Sequence, residues 1–290
     1  MRILVHVHVF YKEIWPEIQD FLKNLDGFDW DLYITTVHDD FEPNSDVIAL
    51  ASHADVHVVE NKGYDVGPFI WVINNVDIER YDYIVKLHTK RDVSYKTIPG
   101  NYLLGGKRWR KKLLSFIESK DNIRKCISTM ENNKSIGMCG NYLLIMDDSS
   151  DRDIPSMEGA RLILKENFLY SGSIRFICGT MFIVRARIFE PIINMNINIG
   201  EFAESSINRK SSLAHMMERV FGAMVIYQGF TIEDCFTENK LYISYLERSV
   251  GLIVNILFDV QRFIFQCKKT KNNNIIIKIM KIPVYVKKIK

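Results

Sequence analysis

A chain of 290 residues, 47% apolar and 25% charged, can bury a sizeable core as one large domain or two small ones. Its net charge of +3 leaves no polycationic character and no reason to expect a nucleic-acid partner. Cys126, Cys139, Cys178, Cys235 and Cys267 are scattered and form no CxxC pair, which argues for reduced thiols rather than a disulfide frame or zinc site. Met1-Arg2 leads directly into strand-like residues, so no signal peptide is expected, and no run reaches the roughly 18–20 apolar residues of a membrane span.

Residues 3 to 10 alternate as a first strand, with His6 and His8 on one face and Val5, Val7 and Val9 on the other. Two histidines so spaced could bind a metal, but no third ligand is near, and a structural role or a place at a site mouth is the preferred reading. A helix is expected from Lys12 to Leu25, with Ile14, Ile18, Phe21, Leu22 and Leu25 on one stripe. Further strands are expected at Asp31–Val37, at Ala54–Val59 and from Tyr83, with helices at Ser45–Ser52 and Gly67–Val76 between them. This alternation predicts an α/β fold with a mostly parallel central sheet.

Three strand ends then meet at one edge, carrying His38-Asp39-Asp40, Asn61-Lys62-Gly63-Tyr64-Asp65 and His88-Thr89-Lys90. Open α/β sheets bind ligands outside the carboxyl ends of their strands. In Asn61–Phe69, Gly63 and Gly67 flank Asp65, and glycine permits close backbone approach and positive φ. Pro68 suits the first turn of the following helix, whose N-terminus can receive anionic groups.

Residues 99 to 135 read as mostly helical, with dense positive charge from Lys107 to Lys112 that could meet an anionic ligand or form a solvated face. Ile136–Ile145 resembles a buried strand with a glycine break, and 147–173 a polar loop and helix. Phe176–Phe189 reads as a strand or strand pair in which Gly179-Thr180 leave space, either for a sugar or for tight packing against a helix. Leu213–Gly222 is helical, with His215, Glu218 and Arg219 on neighbouring turns.

NKGYDVGPF, KLHTKRD, FICGTMFIVRARIF and LAHMMERVFG, taken in that order, resemble the rhamnan synthesis F family, over about Met1 to Gly229. The resemblance implies a GT-A-like nucleotide-sugar fold and transfer of a sugar, often rhamnose, onto a cell-surface polysaccharide or O-antigen glycan. It implies a dTDP- or UDP-sugar donor and a lipid-linked or oligosaccharide acceptor. Tyr64 departs from the family's usual arginine, and Lys210-Ser211-Ser212 from a common Asp-Gly pair.

Such a transfer needs a neutralised diphosphate, a held nucleoside and a deprotonated acceptor. Many enzymes of that fold carry a metal-binding Asp-x-Asp where this chain has His88-Thr89-Lys90, and Mg²⁺ wants oxygen ligands. No metal or other cofactor is therefore expected, although a divalent cation is not excluded. Lys90, with Arg91 and His88, is expected to stabilise the diphosphate, the competing reading being a solvated lysine. Asn61, Gly63 and Gly67 complete the expected donor site. Asp65, ahead of Asp39, is the expected nucleoside contact unless it caps a turn. Glu218 is the expected general base and an ion pair with Arg219 its alternative role; Gly179, Thr180, His215 and Arg219 are assigned to the acceptor side. A non-catalytic carbohydrate-binding or scaffold subunit is the other functional reading.

The catalytic domain is expected over residues 1–236 and a membrane- or partner-associating segment over 237–290. Tyr242–Gln266 reads as an amphipathic helix, and the lysines from Lys268 onward suit an anionic membrane surface. These features place the chain, as an expectation, peripherally on the cytoplasmic face of a bacterial plasma membrane.

Overall fold

The alternation of strands and helices expected in the first ninety residues forms. The computed structural model describes residues 1–92, 96–98, 102–104, 106–205, 212–269, 274–279 and 282–288. In chain order the first half holds β1 (Arg2–Val9), α1 (Trp15–Leu22), β2 (Asp29–Thr36), α2 (Ser45–Ile48), β3 (His53–Val58), α3 (Val66–Asn75) and β4 (Tyr83–His88). Next come β5 (Lys96–Ile98), β6 (Tyr102–Leu104), α4 (Gly106–Leu113), α5 (Lys120–Asn132), β7 (Ile136–Cys139) and β8 (Ile145–Asp147). Then follow α6 (Ile154–Phe168), β9 (Arg175–Ile177), β10 (Phe182–Arg185), α7 (Glu190–Ile193), α8 (Leu213–Tyr227) and β11 (Thr231–Glu233). The chain continues with α9 (Lys240–Ile264), β12 (Phe265–Lys269), β13 (Asn274–Ile279) and β14 (Ile282–Lys288).

Seven strands make the central sheet, in the order β11-β7-β10-β4-β1-β2-β3. The pairs β3/β2, β2/β1, β1/β4 and β7/β11 are parallel, and only β10 runs against its neighbours. Both faces of β1 are buried, Ile3, Val5 and Val7 on one side and Leu4 and His6 on the other, as a parallel sheet covered on both sides requires. Phe69 of α3, Phe189 and Phe221 of α8 pack edge to face at 5.2–5.5 Å on the side that bears His6.

Several elements differ from the sequence reading. The helix expected over Lys12–Leu25 is α1 with a 3₁₀ turn at each end, the first because Pro16 lacks the N–H that would bond the Lys12 carbonyl. The stretch 99–135 contains β6, which pairs with β5, besides its two helices. Ile136–Ile145 is cut after β7 by a turn in which the Asn141 side chain accepts from the Leu143 N–H. The chain divides into two compact units, residues 1–93 with 106–238, and residues 94–105 with 239–290. In the second unit α9 is the expected helix, but the lysine-rich stretch after it forms the antiparallel sheet β12-β13-β14. Lys210 and Ser211, singled out above, lie outside the described residues, as do Lys271, Lys281 and Lys290.

Candidate functional site

A cleft of about 320 Å³ opens at the carboxyl ends of β1 and β4, where the sheet places the His8 and His88 backbones side by side. It is lined by His8, Phe10, Tyr11, Tyr64, Asp65, His88, Thr89, Lys90, Arg91 and Ser205. Its size falls within the range of small-molecule sites. Thr89 joins the two strand ends, since its hydroxyl accepts from the N–H groups of Phe10 and Tyr11 at 2.9 and 2.8 Å.

The third wall is the turn before α3. Gly63 and Tyr64 both hold positive φ, 72° and 55°, and the Tyr64 N–H donates to Ser205 Oγ at 2.8 Å. A tyrosine in this region is strained, and such strain gathers where a wall must be aimed. Gly67 closes the turn, its N–H donating to the Gly63 carbonyl; a Cβ there would sit 2.3 Å from the Lys62 carbonyl oxygen. Asp65 occupies the N-cap position of α3 but makes no capping bond. Its side chain turns to the sheet instead.

There it meets Lys86, the residue that pattern reading passed over. Lys86 sits inside β4 with no solvent exposure. Its Nζ donates to Asp65 Oδ2 at 2.5 Å and to the carbonyl and hydroxyl oxygens of Thr180 at 3.0 and 3.1 Å. The Thr180 hydroxyl also bonds Asp65 Oδ2, and the Phe69 ring lies 5.4 Å from Nζ. All of these contacts use Oδ2. Burial pushes Asp65 toward the neutral acid, but the charges of His88, Lys86 and Lys90 overcome it and hold the carboxyl far below its ordinary value. His88 contributes only when protonated and its own burial keeps it neutral, so Lys86 and Lys90 are the effective cations. Burial likewise lowers Lys86, against the pull of Asp65.

Histidines continue this polar stripe. His6 Nε2 and His8 Nδ1 both reach Thr35 Oγ1, at 2.8 and 3.1 Å. Burial lowers His8 to about 4 and drives His6 well below the usual imidazole value. His88 is 4% exposed and neither ring nitrogen has a hydrogen-bond partner among the described residues; Nδ1 stands 3.4 Å from Asp65 Oδ2 without hydrogen-bond alignment. The cleft thus offers the Asp65 carboxylate, a neutral imidazole without a hydrogen-bond partner among the described residues, two cationic side chains and three aromatic rings.

The predicted residues divide. Asp65, His88, Lys90 and Arg91 line the cleft. Lys90 lies 5.7 Å from the Trp109 ring, and Arg91 pairs with Glu13 at 2.9 Å while stacking on Tyr11. Gly63 and Gly67 shape the wall rather than touch its space. Asp39 and Asn61 are exposed and outside the lining. Glu218, expected to take a proton, is also outside it, with both oxygens engaged. Oε1 accepts from the Gly179 N–H at 2.6 Å and Oε2 from Arg219 at 2.8 Å. Arg219 is buried and binds Asp151 at 2.7 Å, which makes it an anchor for α8. Gly179, at φ 89°, packs where a Cβ would meet Leu113 at 2.6 Å, favouring the tight-packing reading. Thr180 positions Lys86 and Asp65, and His215 backs Tyr64 edge to face at 5.6 Å. The sequence shows of Lys86 only a lysine two residues before His88; the fold adds its register with His6. Among the described residues no three His, Cys, Asp or Glu side chains group as a metal site.

Residues 1–230 match the family described as rhamnan synthesis protein F. Curated relatives in two strains of Xanthomonas campestris pv. campestris, each named uncharacterized protein WxcX, are 22% identical over 231 residues. Those matches cover 79% of this chain and 32% of each relative, so the chain spans about a third of their length. With most of its length matched, including every residue that lines the cleft, the chain belongs to the rhamnan synthesis protein F family.

Proposed function

We propose that the chain is a glycosyltransferase of polysaccharide synthesis, taking a sugar from a dTDP- or UDP-sugar and passing it to a lipid-linked or oligosaccharide acceptor. The observation that carries this reading is the His88 imidazole, without a hydrogen-bond partner among the described residues, set beside Asp65 and Lys90 in one cleft. Phe10, Tyr11 and Tyr64 offer faces for a base or sugar. Asp65 Oδ1 accepts from a ligand hydroxyl or imide N–H. Lys90 and Arg91 meet the diphosphate, the place a bound cation takes in many nucleotide-sugar enzymes. A carboxylate held so far down is a weak base, whereas a neutral imidazole with free nitrogens can take a proton. His88 therefore replaces Glu218 as the proton acceptor in this reading, and Glu218 positions the Gly179–Thr180 turn.

Calorimetric titration with UDP and dTDP, with and without EDTA, tests it. Binding that survives EDTA and weakens roughly tenfold, about 1.4 kcal/mol, in Lys90→Ala is the expected result. No binding of either nucleotide, or recovery only with Mn²⁺ or Mg²⁺, would count against it. The engaged state of Glu218 favours a second reading, a binding subunit without transfer. Donor binding with no turnover or hydrolysis against any glycan would select that one.

A further inference from the structure

The helix α9 carries an apolar face that the described structure leaves open. Tyr242, Leu246, Ile253, Leu257, Val260 and Ile264 recur at helical spacing and are 45–66% exposed. A second exposed apolar row, from Tyr245 to Phe263, lies beside the first at the same spacing. At 100° per residue the two rows span roughly two fifths of the helix circumference, wider than the strict a/d seam of a two-stranded coiled coil. Over 25 residues such a face is about 37 Å long. No helix among the described residues is long and apolar enough to cross a membrane, so this face is suited to lying along a surface.

Charge identifies the surface. Of the 38 Lys and Arg, nine follow Asp259, Arg262 and eight lysines, and none of the 35 Asp and Glu does. The net +3 therefore divides into −6 over residues 1–259 and +9 over the last 31. Strand pairing concentrates part of that charge, because Lys288 stands opposite Asn274, Lys287 and Lys269 opposite Ile275, and Lys268 opposite Ile276. Four lysines thus share one end of the three-stranded sheet that begins where α9 ends. A second copy of this chain would bring the same cations against them.

We infer that α9 and the β12-β13-β14 sheet form a docking surface for an anionic lipid bilayer, α9 lying in the interface with its apolar face in the acyl boundary and the lysines over the headgroups. This does not rest on the transferase reading, since the surface is argued from residues outside the cleft.

Co-sedimentation of the full chain with phosphatidylcholine vesicles, and with phosphatidylcholine vesicles containing phosphatidylglycerol, tests the inference. The chain is expected to pellet with the anionic vesicles and to be released by high salt. Ile253→Glu combined with Leu257→Glu should weaken partition by roughly tenfold or more, as should Gln at Lys268, Lys269, Lys287 and Lys288 together. Unchanged circular dichroism would show that these variants remain folded. Equal, salt-insensitive pelleting with neutral vesicles would overturn the inference, as would no pelleting at all. So would a dimer in light scattering that the glutamate pair dissolves while the chain ignores vesicles, because the face would then belong to a second copy.

Discussion

At the scale of single residues, the site depends on a cation inside a β-strand. A buried ammonium is tolerable only when its partners are close, and Lys86 has three oxygen partners within 3.1 Å. Removing one member strands the other. Lys86→Met is expected to destabilise the fold by about 3–5 kcal/mol, because the Asp65 carboxylate would stay turned against the sheet without the ammonium bonded to it. Asp65→Asn keeps shape and one acceptor but leaves the wholly buried Lys86 ammonium without its carboxylate, so it should cost stability of similar size and also lower nucleotide affinity. Urea unfolding and titration on both variants separate the effects; a mild Lys86→Met would mean that Asp65 is solvated in the free protein. The sequence made part of this legible. Asp65, His88 and Lys90 stand at strand ends, where pattern reading looks for ligands. Lys86 is hidden by its strand, since an apolar run is read for its length and a lone lysine in it passes as noise. Glu218 is the opposite case. A carboxylate beside His and Arg on a helix has the composition of a catalytic group, and the fold adds what composition does not carry, that Gly179 and Arg219 both bond it.

At the scale of elements, β1 and β4 exchange apolar packing for a shared polar stripe, and pH should expose the cost. His8 titrates near 6.5 when unfolded and at about 4 in the fold, because burial opposes its charge. Between those values the unfolded chain binds the proton that the folded chain refuses, so stability must fall as pH drops through the window. Each such histidine steepens the fall by up to about 1.4 kcal/mol per pH unit, and His6 and His88 add to it in the same sense. Urea midpoints stepped through that window should drop, and His8→Gln should make the drop shallower; a flat profile would contradict the burial of these rings. The helices carry a second test. Gly222 lets α8 lie against β9, where a Cβ would come within 2.2 Å of the Arg175 carbonyl oxygen. Gly222→Ala should cost about 1–3 kcal/mol, read as a lower thermal midpoint with nucleotide affinity unchanged. Most of these elements follow from periodicity, because apolar strands alternating with amphipathic helices admit few arrangements. The short strands β5, β6, β8 and β11, of three residues each, are below what a period can register and exist through pairing alone.

At the scale of the whole molecule, packing divides the chain differently from sequence order. Residues 94–105 lie between β4 and α4 in sequence yet group with 239–290, where β6 packs beside α9. Composition could signal the change of character near Tyr242, but not that a segment more than a hundred residues earlier belongs with it. A chain ending at Glu238 tests this division. The central sheet, its helices and the cleft all fall within residues 1–93 and 106–238, so the shortened chain should still unfold in one cooperative step and bind nucleotide as before. Residues 94–105 would meanwhile lose the elements they pack with and become the preferred site of proteolytic nicking. Limited trypsin digestion with mass spectrometry would read this directly, Lys96 being a ready cleavage point. Cleavage there in the shortened chain but not in the full one is the expected result. Equal protection in both would mean that the insertion is held by the unit that carries the cleft and that the division is misplaced.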